Sequence, residues 1–163
     1  MINKEKEDNK EYERIIAKVI EAHTPDIFAT GNLARTIIMF SAMINRAKNR
    51  VWCIFNGYNP NLLICNICCR LAAMDKEGKD VRLIFKNVNE EDIPSELQAI
   101  SKCVESISDV DQTRDIIFID NDYFCGEIDS QLNSYLVCYY NSNQELKSSV
   151  RSIIDMIDKV WNK

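Results

Sequence analysis

Residues 112–140 read Q-T-R-D-I-I-F-I-D-N-D-Y-F-C-G-E-I-D-S-Q-L-N-S-Y-L-V-C-Y-Y, and the rest of the chain is organised around them. Ile116, Ile117, Phe118 and Ile119 form a continuous apolar run. The run is too short for a helix and rich in β-branched side chains, which predicts a buried strand. Asp120, Asn121 and Asp122 follow it. Short polar side chains bond their own backbone and turn the chain. Residues 123–128 and 135–140 read as two further extended segments. The order is strand, acidic turn, strand, polar connection, strand.

Upstream, Val51, Trp52, Cys53, Ile54 and Phe55 make a second continuous apolar run, the pattern of a central strand. Asn56-Gly57-Tyr58-Asn59-Pro60 turns the chain after it. Asn59 suits an N-cap and Pro60 a first helical position, so a helix is predicted over 61–74. That helix is apolar nearly all round and ends at Gly78. Residues 81–85 are the next strand. Strand, helix and strand then form a right-handed crossover between parallel strands. Asn32 caps a predicted helix over 33–48, with Leu33, Ile37, Phe40 and Ile44 on one face. Tyr12, Ile15, Ile16, Val19 and Ile20 predict an amphipathic helix over 11–22, stopped at Thr24-Pro25 and preceded by a frayed charged lead-in. Downstream, a short helix over 95–101 and an edge strand over 103–107 are predicted. Leu146, Val150, Ile153, Ile154, Ile157 and Trp161 line one face of a last helix. The expected architecture is a mixed, largely parallel sheet with helices on both faces. It forms a single α/β domain over 26–163 behind an N-terminal helical extension over 1–25.

The 163 residues are 46% hydrophobic and 28% charged, enough for one sizeable core and inconsistent with a disordered chain. No apolar run reaches the ~18 residues that cross a bilayer, so no membrane partner is expected. The charged N-terminus lacks the apolar segment of a secretory signal, which points to a cytoplasmic protein. Seven cysteines, an odd number, are expected to be free thiols. The net charge of −5 is unevenly spread: residues 31–86 hold nine Lys or Arg against three acids, and 87–130 hold two against twelve. The overall acidity opposes tight non-specific DNA binding. The basic segment 31–86, with Arg35, Arg46, Lys48 and Arg50, still offers nucleic-acid binding as an alternative function.

His23, the only histidine, closes a predicted helix, where the dipole favours it. Cys65, Cys68 and Cys69 share one helix face and are expected about a turn inside the helix, as small buried hydrophobes rather than a redox or zinc motif. No metal and no cofactor is expected. The carboxylates Asp120, Asp122, Glu127 and Asp129 read as a solvated turn. A metal-dependent phosphodiesterase built on that acidic turn, 120–129, is the catalytic alternative. Asn56, Gly57, Tyr58 and Asn59 lie at the carboxyl end of a central strand, before a helix N-terminus. Lys86 and Asn87 end the next strand on the same edge. Open α/β sheets bind ligands there. With Glu127 these residues are the ligand-binding candidates.

Four segments carry a resemblance: A-K-N-R-V-W-C-I-F (47–55), D-V-R-L-I-F (80–85), T-R-D-I-I-F-I-D (113–120) and I-I-D-M-I-D-K-V-W (153–161). In this order they resemble a half-unit of the phospholipase D-like superfamily, over residues 32–161. That family's catalytic strand carries His, any residue, Lys, four more residues, then Asp. Aligned on Asp120, Thr113 falls at the histidine and Asp115 at the lysine. Threonine has no ring nitrogen to attack phosphorus, and aspartate repels the phosphate a lysine would hold. The resemblance therefore implies a degenerate domain with no catalytic residue, serving as a binding or regulatory module for a protein or small ligand. Because the superfamily pairs two half-units about a two-fold axis, it also implies a homodimer.

Overall fold

The computed structural model describes residues 2–23, 27–105, 114–142 and 144–163. Strand β5 (Ile116–Ile119) is buried along its whole length. Successive side chains of a strand point to opposite faces. Ile117 and Ile119 accordingly enter one apolar cluster, and Ile116 and Phe118 another. A strand buried on both faces must read as an unbroken apolar run, which is what the sequence shows.

On one side β5 pairs antiparallel with β2 (Arg50–Phe55), Ile54 opposite Ile116 and Val51 opposite Ile119. On the other it pairs antiparallel with β6 (Tyr123–Asp129), which pairs antiparallel with β7 (Ser134–Tyr139). The short β1 (Phe28–Ala29) lies antiparallel on the outer edge of β7. Beyond β2 come β3 (Asp80–Lys86) and β4 (Ser101–Val104), both parallel. The order is β1-β7-β6-β5-β2-β3-β4. The sheet is mixed, as expected, but parallel pairing is confined to β2, β3 and β4, so antiparallel pairs outnumber the parallel ones that were expected to dominate. The tight turns at 120–122 and 130–133 can join only antiparallel neighbours, whereas a parallel pair needs a long crossover.

Helices α1 (Ile2–Ala22), α2 (Leu33–Arg46) and α3 (Cys65–Lys76) cover one face, contributing Ile16 and Ile20, Met39 and Phe40, and Ile67 and Leu71 to its core. The short α4 (Ser95–Gln98) adds Leu97. Helix α5 (Gln144–Trp161) covers the other face with Val150 and Ile157. Among the described residues no helix is long and apolar enough to cross a membrane.

Two helix starts differ from expectation. The charged lead-in is part of α1, because its Lys and Glu residues are good helix formers. Ile16 and Ile20 of α1 are sealed in the core, and the Tyr123 hydroxyl donates to the Ile20 carbonyl at 3.1 Å. The boundary expected near residue 25 falls outside the described residues. Helix α3 starts at Cys65, not at 61. Asn59 instead closes a separate turn: its side-chain oxygen accepts the Asn61 N–H, and its carbonyl accepts the N–H groups of Leu62 and Leu63. That turn lets two consecutive leucines both enter the core. Asn32 does cap α2, its side chain accepting the Arg35 N–H at 3.0 Å.

The last helix is tied down by an aromatic–cation stack. The Arg82 guanidinium lies 4.2 Å from the Trp52 ring and 5.8 Å from that of Trp161. It also pairs with Asp158 of α5 at 2.6 Å.

Candidate functional site

Because β5 runs antiparallel to β2, the residue that opens β5 sits beside the carboxyl end of β2. Asp115 occupies that place and is 7% exposed. Its Oδ1 accepts the Asn56 N–H at 2.7 Å and its Oδ2 accepts the Tyr135 hydroxyl at 2.6 Å. Lys86, 2% exposed at the end of β3, is close enough for its charge to act on the carboxylate. Burial pushes the Asp115 pKa up; Tyr135, the Asn56 N–H and Lys86 oppose it only in part. Glu127 flanks Asp115 on β6. The Asp115 N–H reaches Glu127 Oε2 at 3.3 Å, and the Glu127 N–H donates to the Asp115 carbonyl at 3.0 Å. Burial, and then the Asp115 charge, raise the Glu127 pKa as well. The Tyr135 phenol is pushed far up by burial and by Asp115, so it stays a donor.

A cavity of about 260 Å³ opens above this pair, lined by Asn56, Gly57, Tyr58 and Asn59 from one side and by Asp115, Glu127, Ser130 and Asn133 from the other. Gly57 has φ +104°, a conformation that L side chains rarely adopt, so the turn needs glycine there. Asn59 Nδ2 donates to Asn133 Oδ1 at 2.7 Å and closes one end of the cavity. The Tyr58 ring stands edge-on to Phe85. Behind Asn133, Thr36 Oγ1 lies 2.6 Å from both the Asn133 carbonyl and Thr30 Oγ1, a buried polar link to α2.

Of the ligand candidates, Asn56, Gly57, Tyr58, Asn59 and Glu127 line this cavity, and Lys86 lies buried near Asp115. Asn87 does not line it; its N–H bonds the Val104 carbonyl at the edge of the sheet. Sequence reasoning missed Asp115 as a cavity wall, and missed Ser130 and Asn133. The signal for Asp115 was there: a charged residue directly abutting a run buried on both faces must be paired or line a site. Ser130 and Asn133 carry no such signal, because only the pairing of β6 with β7 brings that turn to β2.

Thr113 lies outside the described residues. Asp115 and Asp120 stand at opposite ends of β5, roughly 17 Å apart at ~3.3 Å per residue. The Asp120 carboxylate accepts the N–H groups of Lys48, Asn49 and Arg50 at 2.8–3.1 Å, clamping the turn between α2 and β2. The acidic turn 120–129 is not one turn. Asp120 and Asp122 precede β6, while Glu127 and Asp129 lie at its far end. Asp129 is occupied as an acceptor for the N–H groups of Gln131 and Leu132. These four carboxylates, split between the two ends of β6, therefore do not form one cluster. Among the described residues no three His, Cys, Asp or Glu side chains converge on a metal position.

The basic candidates do not form one stripe. Arg35 lies over the Tyr12 ring at the start of α2, and Arg46 ends the same helix, roughly 16 Å away at 1.5 Å per residue. Arg50 stacks on Trp52 and donates to Asn121 Oδ1. Arg46 and Lys48 border a second cavity of about 350 Å³ whose wall also holds Asp120, Asp122 and His23. His23 closes α1 with φ +49° and packs against the Tyr139 ring. All seven cysteines are free. Of the triad, only Cys68 is buried; Cys65 and Cys69 are exposed on the first turns of α3. The expected all-buried cluster is corrected, because the later helix start leaves Cys65 at the helix end.

No protein-family model matches the chain, and no curated protein sequence matches it. Solved structures do. Nuc from Salmonella typhimurium, a phospholipase D family member, superposes with a TM-score of 0.54 at 14% identity, over 84% of this chain and 94% of that one. The fold is phospholipase D-like. TrmBL2, an archaeal chromatin protein with a novel mode of DNA binding, superposes with a TM-score of 0.54 at 11% identity over 99% of this chain. This phospholipase D-like domain spans 62% of the TrmBL2 chain. At such identities the likeness concerns the fold alone.

Proposed function

We propose that this chain is a non-catalytic, homodimeric binding module whose cavity at the end of β2 takes a small polar ligand rich in hydrogen-bond donors, neutral or cationic, rather than a phosphate. One observation carries the reading. The position that aligns with the phosphate-holding lysine of the phospholipase D motif is a buried carboxylate, with Glu127 beside it. Two carboxyl groups repel a phosphodiester, while the carboxyl and amide oxygens of Glu127, Asn56 and Asn133 suit hydroxyl or ammonium donors. The homodimer rests on the two-fold pairing of half-units in the resembling superfamily. It also rests on Ile128 and Leu132, two exposed large apolar side chains at the same β6–β7 connection as the cavity residues Ser130 and Asn133. A second copy packed there would cover both.

Thermal shifts with a panel of polyols, primary amines and their phosphate monoesters test the ligand class. Concentration-dependent stabilisation by a polyol or amine, lost in Glu127→Gln with Asn59→Ala, supports the reading. Stabilisation by the phosphate esters alone, or by no member of the panel, contradicts it. Sedimentation of wild type beside Ile128→Lys with Leu132→Lys tests the dimer; the variant is expected at half the wild-type mass. TrmBL2 brings nucleic-acid binding as a second reading, but the separation of Arg35, Arg46 and Arg50 disfavours it. A steep salt dependence in a gel shift would restore it.

A further inference from the structure

Outside the cavity, the most reactive grouping lies on α3. Cys65 and Cys69 are both exposed, both free, and hold their sulfurs 3.9 Å apart. Side chains four apart on a helix have Cβ atoms about 5–6 Å apart. A disulfide needs about 3.5–4.5 Å. Closing the bond therefore requires α3 to unwind, and the intact helix keeps the pair reduced. A tetrahedral zinc ion with Zn–S bonds of about 2.3 Å sets its two sulfurs ~3.8 Å apart. The helix holds the thiols at the span of a bridging ion and not at that of a covalent bond.

We propose that Cys65 and Cys69 form a two-thiolate site for a soft divalent ion of the zinc or cadmium type. Soft thiolates select such ions. The short helix α4 packs against α3 and carries Glu96, whose negative charge on that side of the molecule favours a cation. Cys68, between the two, donates its thiol to the Leu63 carbonyl at 3.2 Å and is buried, so it stays out of the site. The ion keeps its remaining positions for water or an outside ligand. On binding, two S–H bonds break, two metal–sulfur bonds form, and two protons pass to the solvent, with no change of oxidation state.

The test is a titration of the reduced full-length protein with Cd²⁺, read by the thiolate-to-metal charge-transfer band in the ultraviolet. Saturation near one ion per chain is expected, reversed by an excess of EDTA. Cys65→Ser and Cys69→Ser should each lose the band, while Cys103→Ser should keep it. Both serines sit at exposed positions, and circular dichroism checks that the fold survives. On the wild type alone, Zn²⁺ should protect Cys65 and Cys69 from iodoacetamide, as read by mass spectrometry. A band that persists in both serine variants, no band at all, or alkylation unaffected by Zn²⁺ each overturns the proposal.

Discussion

At position 115 a carboxylate is held away from water by one backbone N–H and one phenol, and its neighbour Glu127 is a second acid. Removing the carboxylate in Asp115→Ala leaves the Tyr135 hydroxyl and the Asn56 N–H without this acceptor. Each buried donor so orphaned costs about 1–3 kcal/mol, measurable by urea unfolding. The pH dependence has a definite sign. Burial raises the Asp115 and Glu127 pKa values in the folded state. A carboxyl with a raised folded pKa contributes stability that is complete below its unfolded pKa and is lost as pH rises through the folded value. Melting wild type and Asp115→Asn from about pH 4 to about pH 7 should therefore show wild type losing ground to the variant as pH rises. A wild-type advantage that grows with pH would contradict this account of Asp115.

Among the elements, β5 and α5 were legible because their patterns are unambiguous: Ile116 to Ile119 is apolar on both faces, and Val150 and Ile157 recur at helical spacing. The start of α3 was not legible. Asn59-Pro60 has the composition of a helix opening, yet two adjacent leucines that both need burial force a turn first. The parallel crossover from β2 to β3 was legible, whereas the share of antiparallel pairs was underestimated. Parallel and antiparallel central strands share one composition, and only the short connections at 120–122 and 130–133 distinguish them. Two clamps hold elements in place and can be cut. Asp120→Ala frees three N–H groups of the turn before β2 and should cost about 1–2 kcal/mol, as loss of a helix cap does. Arg82→Ala removes the stack between Trp52 and Trp161 together with the Asp158 pair. It should loosen α5 before the sheet, seen as early loss of hydrogen-exchange protection in residues 150–161.

For the molecule as a whole, one sheet separates two apolar clusters, so a central strand side chain serves as a single-residue test of the core. Phe118→Ala empties a fully buried site in the cluster under α5 and should cost about 3–5 kcal/mol. The candidate cavity was half visible in advance. Asn56 to Asn59 announced themselves as a turn at the end of a central strand, while Ser130 and Asn133 reach it only through strand order, which no local pattern encodes. The claim on which the functional reading depends is that a carboxylate at 115 shuts the site to phosphodiester chemistry. The direct measurement is hydrolysis of bis(4-nitrophenyl) phosphate by the purified chain, with and without Mg²⁺. The expected rate equals the buffer blank in both cases; turnover by wild type that disappears in Asp115→Ala would contradict it.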